Sequence, residues 1–528
     1  MSGPMNTQLS SVLSAQPAGQ GLVHSIEETV NGVLEPFVTV FGNIVFFAIG
    51  PVPLVVIWLI VAAIIFTVYF KFIQFRGFKV ALEVVSGRYS SPSDPGEVTH
   101  FQALTSAVSG TVGLGNIAGV GAALAMGGPG AAFWMIIAGL LGMCTKFVEC
   151  TLGVKYREID SDGVVNGGPF KYLPVAFARF SRPVATALTG FFAIAILLFG
   201  VAGGGMFQAN QTYVQLREVS GGDSSIIAGP VGGLVIGLLI AFVVGLVILG
   251  GIKSIGSVTS RLVPAMGIFY VLSCLIVILG NLDMILPALG AIVAGAFDMQ
   301  SVAGGIFGTM VVGFQRAAFS NEAGIGSAPI AHSAVKTRRP VSEGFVALLE
   351  PFLDTIVVCL MTALTIVIAA GSAYDGAMAE FAETGLSPDG VSLVSAGFAT
   401  ITPWWPVFLA FAVMLFAIST LITWAYYGQK AWHYLFGRRQ ATDILFRCIL
   451  LMFIVIGCIA SFGQIVNFAD AALFCCAFVN ILGLYILMPV VKKEMKEYLA
   501  DRKSGRLHEL GAEDEADLAR IRAEQGNA

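Results

Sequence analysis

Residues 109–121 read Ser-Gly-Thr-Val-Gly-Leu-Gly-Asn-Ile-Ala-Gly-Val-Gly and lie within an apolar run over 102–126. Five glycines in thirteen residues disfavour a continuous helix, because each glycine weakens a helix by up to ~1 kcal/mol. Close packing of membrane helices through small residues would explain this stretch if it stood alone. A second glycine-rich stretch favours a different interpretation.

Residues 313–329 read Gly-Phe-Gln-Arg-Ala-Ala-Phe-Ser-Asn-Glu-Ala-Gly-Ile-Gly-Ser-Ala-Pro. This stretch places Arg316, Asn321 and Glu322 inside another apolar run. Charged side chains at membrane depth are costly and usually functional. The two stretches therefore mark the part of the chain where function is expected.

The whole chain has the composition of a membrane protein. Its 528 residues are 56% hydrophobic and only 12% charged, with a mean hydropathy of +0.84. Apolar runs long enough to cross a ~30 Å hydrocarbon core as helices recur along it, whereas a β-barrel would need alternating segments of about ten residues. We predict an all-α polytopic membrane protein with eleven spans, near 42–70, 102–126, 129–153, 185–214, 228–250, 259–281, 301–333, 345–371, 404–432, 442–461 and 467–490.

Three regions follow from this division. We predict an extracytoplasmic tail over 1–40, a transmembrane transporter domain over 41–490, and a charged cytoplasmic tail over 491–528 with a helix around 513–524. The first 35 residues contain no Lys or Arg and no early apolar core, so they do not resemble a cleavable signal peptide. The longest predicted loop, 372–403, is acidic.

Loop charge predicts the orientation, because Lys and Arg near span ends stay on the cytoplasmic face. With the C-terminus cytoplasmic, the outside loops hold only Arg217. We therefore expect a multi-pass protein of the inner or plasma membrane with its N-terminus outside. The inside loops then hold Lys71, Arg76, Lys79, Arg88, Lys155, Arg157, Lys171, Arg179, Arg182, Lys253, Lys336, Arg338, Arg339, Arg438 and Arg439.

The two glycine-rich stretches also share a local pattern. Residues 113–116 read Gly-Leu-Gly-Asn and residues 324–327 read Gly-Ile-Gly-Ser. Counted from 102, their spans are the first and the sixth, so they cross the membrane in opposite directions. Such a pair indicates an inverted repeat whose first helices are broken at the midplane, where half-helix N-termini face an anion and freed carbonyls bind a cation. An amino acid and Na⁺ would supply both charges.

Several separated motifs occur in one order along the chain: the 110–121 segment, Gly-Gly-Pro-Gly at 127–130, Lys-Phe-Val-Glu at 146–149, Asn-Gly-Gly-Pro at 166–169 and Asn-Glu-Ala-Gly-Ile-Gly at 321–326. Together they resemble the alanine or glycine:cation symporter family, also called sodium:alanine symporters, over about residues 40–490. The resemblance implies a LeuT-type five-plus-five inverted repeat preceded by one extra helix. It also implies L-alanine or glycine as substrate, with D-alanine or serine as further candidates, and Na⁺ as the coupling ion.

The resemblance implies which residues contact the substrate. Backbone amides at Gly113, Leu114, Gly115 and Asn116 would receive the carboxylate, and carbonyls near Phe319 and Ser320 the ammonium group. Two neighbouring helices would complete the pocket, which we expect to be lined by Phe207, Gln208, Asn321, Gly324, Thr420 and Trp424. Thr420 and Trp424 lie one turn apart on one helix face. The indole would cap a small side chain, and the alternative is a packing or interfacial role.

The same resemblance places a sodium site between the first break and the eighth helix of the repeat. Sodium requires hard oxygen ligands, which we expect from the carbonyls around Thr111 and Val112 and from Ser419, Thr420 and Thr423. The alternative is that each hydroxyl only bonds back to the preceding helical turn.

The buried charges have more than one interpretation. Arg316, Glu322 and Asp354 are candidates for a gating or charge network, and Arg316 and Glu322 either serve the site or brace each other as a salt bridge. Asp354 is expected to be structural, although proton coupling would begin with Asp354 or Glu322. Lys146 and Glu149 are expected to form an ion pair within one helix.

Other function classes find little support. The sequence has no H-E-x-x-H, no G-x-S-x-G and no paired intramembrane aspartates, so an enzyme is not indicated and no catalytic residue or cofactor beyond the coupling ion is predicted. The eight cysteines form no C-x-x-C zinc pair, and no nucleic-acid partner is implied. A channel would commonly use repeated short pores, and a transporter-like sensor would need a larger output domain than this tail.

Overall fold

The computed structural model describes residues 32, 35–36, 39–49, 52–91, 93–248, 251–299, 305–385 and 387–507. The helices of the first half of the chain are Leu54–Tyr69, Ile73–Arg76, Phe78–Val85, His100–Thr111, Ala118–Gly127, Gly130–Lys155, Pro169–Phe177, Arg182–Val201, Gln208–Val219, Gly229–Val247, Gly251–Gly280 and Leu282–Ala296. Those of the second half are Gly305–Asn321, Ala328–His332, Pro340–Ala347, Leu349–Pro351, Leu360–Ala369, Gly371–Thr384, Gly390–Ala399, Trp405–Phe436, Gln440–Gly457 and Phe462–Lys503.

Short irregular pieces complete these elements. Single 3₁₀ turns occupy Leu114–Asn116 and Gly222–Ser224, and π-helical turns occupy Ala202–Phe207 and Phe352–Cys359. Two antiparallel two-residue hairpins pair Ala48–Ile49 with Val52–Pro53 and Glu158–Ile159 with Val165–Asn166. Within the described ranges the protein is therefore helical in every large element, as the composition predicts.

Eight helical segments of the described chain are long and apolar enough to cross a membrane. A ninth span forms if His100–Thr111 and Leu114–Gly127, which meet at a bend of 57°, are counted together. The eight segments are Gly130–Lys155, Arg182–Val219, Gly229–Val247, Ile252–Gly280, Pro340–Ala369, Trp405–Phe436, Gln440–Gly457 and Phe462–Lys503.

Two predicted spans correspond to shorter helices. The run near 42–70 contains Leu54–Tyr69, which has 16 residues. The run near 301–333 contains Gly305–Asn321, with 17 residues, followed by a break and Ala328–His332. Length and composition alone thus identify fewer spans than the eleven that the apolar runs predict.

The long acidic loop over 372–403 is more ordered than a loop. It folds into Gly371–Thr384 and Gly390–Ala399. A Cβ built on Gly390 would lie 1.8 Å from the carbonyl oxygen of Ala118, so only glycine lets this backbone approach Ala118–Gly127 so closely. The prediction of a loop is wrong because Asp375, Glu380 and Glu383 lie exposed on Gly371–Thr384, whose Tyr374 and Ala377 are buried. The fourth acidic residue, Asp389, precedes the second helix and accepts from Gln211 Nε2 at 2.8 Å.

The last helix continues beyond its predicted exit at 490. Phe462–Lys503 has 42 residues, and its polar end is held by Arg502, which contacts Glu83 at 2.7 Å. The hydrogen bond from Arg502 lowers the pKa of the Glu83 carboxyl. The helix predicted around 513–524 lies outside the described residues.

Candidate functional site

The first glycine-rich stretch breaks its helix at Gly113. In a continuing helix the Gly113 and Leu114 amides would donate to the carbonyls four residues earlier. Instead Gly113 N donates to Asn116 Oδ1 at 2.9 Å, and Leu114 N donates to Gln208 Oε1 at 3.1 Å. We call residues 112–117 the first break. Two of its amides, those of Gly113 and Leu114, are held by side-chain oxygens, whereas the Asn116 and Ile117 amides close a 3₁₀ turn onto the Gly113 and Leu114 carbonyls.

The carbonyls released by the first break are bonded by the helix Trp405–Phe436. Thr420 Oγ1 donates to the Ser109 carbonyl at 3.0 Å, and Trp424 Nε1 lies 3.3 Å from the Gly110 carbonyl. Thr423 Oγ1 lies 3.1 Å from Ser109 Oγ, which donates to the Ser419 carbonyl at 2.8 Å. The predicted residues Ser419, Thr420, Thr423 and Trp424 therefore do meet the first broken helix.

Two hydroxyls near this contact make local bonds, that of the predicted ligand Ser419 and that of Thr111, of which only the carbonyl was predicted. Thr111 Oγ1 bonds back to the Ala107 and Val108 carbonyls at 3.4 Å. Ser419 Oγ donates to the Phe416 carbonyl at 2.9 Å. For these two side chains the bond to the preceding turn is the one observed, whereas Thr420 and Thr423 bond across to the other helix.

The second glycine-rich stretch breaks after Asn321. The Ala323 amide donates to Asn321 Oδ1 at 3.0 Å, instead of to the Phe319 carbonyl as in a continuing helix. Glu322, Gly324 and Gly326 have φ of +55°, +92° and +90°, a region that only glycine enters without strain. We call residues 322–327 the second break. It releases carbonyl groups at the end of Gly305–Asn321.

The two breaks meet in the interior. A Cβ built on Gly115 would lie 3.5 Å from both the Phe319 ring and Ser320 Cα. Fully buried Asp354 links the two helices, because it accepts hydrogen bonds from Asn116 Nδ2 at 2.7 Å and from Ser320 Oγ at 2.9 Å. Thr355 Oγ1 donates to the same carboxylate at 2.8 Å. Asp354 thus connects the two broken helices through partners that the sequence did not identify.

Aromatic rings surround the meeting point. Phe207 and Phe319 pack edge to face at 5.2 Å, and Phe199 and Trp424 at 4.5 Å. Trp424 is 1% exposed, so an interfacial position is excluded. A Cβ on Gly204 would lie 2.4 Å from the Trp424 Cβ, and one on Gly203 would lie 2.2 Å from the Phe199 ring, so these two glycines make room for the aromatic side chains.

The buried charges do not pair as predicted. Arg316 pairs with Asp470 on the last helix, and its guanidinium lies 5.4 Å above the Phe319 ring. Glu322 accepts bonds from Ser327 Oγ and, at 3.2 Å, from Trp424 Nε1. The suggested brace between Arg316 and Glu322 is therefore wrong, because each side chain has a different partner.

Lys146 and Glu149 also have other partners. Lys146 Nζ contacts Glu350 at 2.9 Å, with both side chains fully buried. Glu149 Oε1 accepts from Asn480 Nδ2 at 2.6 Å, and the same Nδ2 donates to the Gly324 carbonyl at 2.9 Å. The predicted ion pair within one helix is replaced by contacts between helices.

A buried charge cluster joins the far ends of the two broken helices. His100 begins the first broken helix and His332 ends the second. Their Nδ1 atoms bond to different oxygens of one carboxylate, Glu343. His332 Nε2 also lies 3.5 Å from Glu350. One connected cluster thus ties both broken helices to the surrounding bundle.

Sequence reasoning missed several of these residues. Asp470 is the only acidic residue between 462 and 491, and a lone charge in an apolar run is a signal that was available. Ser109 stood in the opening stretch but was not selected. Glu343, Glu350 and Thr355 gave no such signal, because their partners are distant in sequence and only the fold brings them together.

The oxygen atoms gathered here suit a hard monovalent cation. Carbonyls and hydroxyls of the first broken helix and of Trp405–Phe436 form one group, and the Asp354 carboxylate with its hydroxyl partners forms another. Among the described residues there is no group of three or more His, Cys, Asp or Glu side chains arranged to hold a metal ion.

Comparison with known proteins identifies the class. The sodium:alanine symporter family matches residues 31–512. The chain belongs to the sodium:alanine symporter family. As a member, it is a multi-pass membrane protein and a cation-coupled amino-acid symporter, and it is not an enzyme. The resemblance found in the sequence motifs is confirmed.

Several relatives cover most of this symporter. The sodium/alanine symporter AgcS of Methanococcus maripaludis is 36% identical over 469 residues, which cover 89% of this chain and 98% of AgcS. The amino-acid carrier protein AlsT of Bacillus subtilis is 32% identical, over 85% of this chain and 90% of AlsT. The probable sodium/glutamine symporter GlnT of the same organism is 31% identical, over 86% and 89%.

A solved structure, MhsT in complex with L-phenylalanine, is more distant from this symporter. It has 17% sequence identity and a TM-score of 0.49, and the match covers 73% of this chain and 88% of MhsT. That likeness is too low to establish a shared fold.

Proposed function

We propose that this symporter imports alanine, glycine or both together with Na⁺ by alternating access. The observation that carries the proposal is the first break, which offers amides and carbonyls from neighbouring residues. The amides of Gly113 and Leu114 are held by side-chain oxygens that an anion can displace, and the Ser109 carbonyl is held by a hydroxyl next to which a cation can bind. One short segment thus suits both the carboxylate of the amino acid and Na⁺.

The substrate carboxylate would bind the amides of the first break from Gly113 to Asn116. To do so it must displace Asn116 Oδ1 and Gln208 Oε1, and both side chains then become free to contact the substrate. The ammonium group would lie toward the carbonyls of Phe319 and Ser320, two residues whose ring and Cα respectively lie 3.5 Å from a Cβ built on Gly115. Asn321 would shape this end, since its Nδ2 donates to Thr355 Oγ1 at 2.9 Å, whereas Gly324 lies against Leu59 and Ile481.

Selectivity for a small side chain is supported by the size of the surrounding groups. Phe207, Phe319 and Trp424 are all at least 95% buried, and the Phe319 ring, against which Phe207 packs, lies 3.5 Å from a Cβ built on Gly115. A methyl group or a hydrogen fits such a wall, whereas a longer side chain meets an aromatic ring. AgcS carries alanine in its name and GlnT glutamine, so the relatives alone do not decide the substrate of this chain.

Sodium would bind where the first broken helix meets Trp405–Phe436. The candidate ligands are carbonyls around Thr111 and Val112, together with the hydroxyls of Thr420 and Thr423 and the neighbouring Ser419. Ser109 is added because its carbonyl and hydroxyl lie at the same contact. Asp354 and Glu322 are the groups through which protons would couple if Na⁺ does not.

The finer layout belongs to this proposal. Adding Leu54–Tyr69 and the broken pair Gly305–Asn321 with Ala328–His332 to the nine spans gives eleven, one extra helix followed by two sets of five. The loop charges support an N-terminus outside and a C-terminus in the cytoplasm, in the inner or plasma membrane.

Transport by purified protein in liposomes tests the proposal. With Na⁺ outside and choline inside, radiolabelled alanine or glycine should accumulate above its external concentration. Unlabelled L-alanine, glycine, D-alanine and serine added in turn rank the substrates by competition. Accumulation that depends on an imposed pH gradient and not on Na⁺ would show that H⁺ is the coupling ion. Failure to accumulate any of the four amino acids would reject the proposed substrate class.

A further inference from the structure

A basic cavity lies apart from the two breaks. It encloses about 900 Å³ where the ends of Gly229–Val247 and Trp405–Phe436 meet the beginning of Gln440–Gly457. Its lining holds two acidic residues, Glu97 and Asp443. Against these it holds five basic residues, Lys253, Lys430, Arg438, Arg439 and Arg447.

Both acidic side chains of the cavity already accept hydrogen bonds from other residues. Asp443 Oδ1 contacts His433 Nε2 at 2.7 Å, and Glu97 Oε1 accepts from the Val165 amide at 2.7 Å. Arg438 pairs with Asp160, which does not line the cavity, at 2.7 Å.

The other side chains of the lining favour an anion. Lys430 Nζ donates to the Val165 carbonyl at 2.8 Å. Lys253, Arg439 and Arg447 have no carboxylate partner in the part of the chain that the structure describes. His433 Nδ1, also of the lining, is buried and has no hydrogen-bond partner there. The cavity therefore presents guanidinium and ammonium groups that an anion can satisfy.

The surface outside the cavity is apolar. Gly229–Val247 packs against Gln440–Gly457, and these helices expose Phe242 at 66%, Leu246 at 62% and Leu445 at 52%. Ile444 lines the cavity and is itself 52% exposed. The basic lining of the cavity is thus adjacent to an exposed apolar surface. A ligand with a charged group and acyl chains could contact both.

We propose that this cavity binds the headgroup of an anionic phospholipid. Its phosphate would contact Arg447 and Arg439, with Lys253 nearby, and its acyl chains would lie against the exposed apolar side chains of the two helices. A free phosphate ester has the same charged group, but it makes no use of the apolar wall. The lipid would come from the cytoplasmic leaflet, a point that rests on the orientation proposed above and on the anionic surface of that leaflet.

Lipid binding can be measured without transport. Purified protein in phosphatidylcholine nanodiscs is titrated with dioleoylphosphatidylglycerol, and retained lipid is counted by native mass spectrometry. The variant Arg439→Gln/Arg447→Gln should bind this lipid about 30-fold more weakly, since each cation near an anionic surface contributes about fivefold. The matched control Arg179→Gln/Arg182→Gln removes two exposed cations that lie outside the cavity lining and should bind as the wild type does.

Each arm of the experiment has a distinct meaning. No preference of the wild type for phosphatidylglycerol over phosphatidylcholine would overturn the proposal without reference to any variant. Equal loss in the control would show general attraction to a basic surface. Displacement of the lipid by inorganic phosphate at equal concentration would show a free anion as the ligand. All of these readouts are independent of alanine uptake, so they do not fail with the proposed function.

Discussion

At the scale of single residues, Gly113 is where the first break is tightest. A Cβ there would lie 2.5 Å from Thr420 Oγ1 and 3.2 Å from Gln208 Oε1. We predict that Gly113→Ala weakens alanine or glycine binding by ~1 to 3 kcal/mol, the usual cost of overpacking. Gly119→Ala is the matched control, because its Cβ would meet no atom within 4 Å. Calorimetry measures the affinity of both variants for alanine or glycine. A Gly113→Ala affinity equal to that of the Gly119→Ala control would place Gly113 outside the substrate site.

Trp424 limits the space beside the first break. We predict that Trp424→Leu admits larger neutral amino acids, with a change in discrimination of ~1 to 3 kcal/mol. Competition for alanine uptake in liposomes measures this change. Trp404→Leu, just before the start of the same helix, is the control, since that indole is 55% exposed. A folded Trp424→Leu protein with unaltered selectivity would show that the indole serves packing alone.

The substitution Asn116→Ala tests the bond between the breaks. It removes the acceptor of the Gly113 amide and the donor to Asp354 together. We predict loss of measurable substrate binding in protein that still elutes as a monodisperse species. Gln208→Ala, which frees the Leu114 amide and the Gly203 carbonyl but leaves the bond to Asp354 in place, should have the smaller effect. The reverse order would contradict the central position given to Asn116.

Residue-level prediction from sequence succeeded where the signal was local. The glycines of both breaks and the one-turn spacing of Thr420 and Trp424 can be read from the sequence. The partners of Arg316 and Lys146 cannot, because Asp470 and Glu350 lie 154 and 204 residues away. Many acidic side chains are equally distant in sequence, and only the packed helices select among them.

At the scale of helices, the buried ion pair of Lys146 and Glu350 joins Gly130–Lys155 to Leu349–Pro351. Its contribution to the free energy of unfolding can be measured. Glu350→Gln would leave Lys146 as a buried and poorly compensated charge, which typically costs ~3 to 5 kcal/mol. Glu497→Gln is the control, because its pair with Lys493 is 3.9 Å long and largely exposed and should contribute ~0 to 1 kcal/mol. Thermal unfolding in detergent compares the two variants. Equal unfolding midpoints for Glu350→Gln and Glu497→Gln would show that Lys146 finds another partner.

Helix breaks were predictable, whereas π-helical turns were not. Glycine density and charge at membrane depth are local features of the sequence, and they mark both breaks. The π turns Ala202–Phe207 and Phe352–Cys359 carry Phe207 and Asp354 toward the breaks. An extra residue in a helical turn depends on what packs beside it, here the Trp424 indole and the Asn116 amide. The helices in the 372–403 loop depend likewise on packing against Ala118–Gly127.

At the scale of the whole molecule, orientation is the prediction that loop charge supports most broadly. In a Cys448→Ser background, which removes the exposed native thiol, Glu380→Cys should react with an impermeant maleimide added outside intact cells. Arg338→Cys should react only after permeabilisation. Both positions are exposed, so reactivity reports the side of the membrane. Reversal of the two results would invert the topology.

The composition, the helical class and the family membership were predictable from the sequence because they depend on properties spread along the chain. The number of spans was harder, since Leu54–Tyr69 and the second broken helix are too short to satisfy a length criterion. Their place in an eleven-span layout depends on symmetry, which local hydropathy does not measure.

The central claim is that substrate and Na⁺ share the first broken helix, so each must strengthen the binding of the other by the same factor. A coupling of ~1 to 3 kcal/mol corresponds to affinity about five- to 150-fold lower without Na⁺. Calorimetry on detergent-solubilised protein should therefore show tight alanine or glycine binding in sodium buffer and weak binding in choline buffer, and Thr420→Val should lose most of that difference. Equal wild-type affinities in the two buffers would contradict the account.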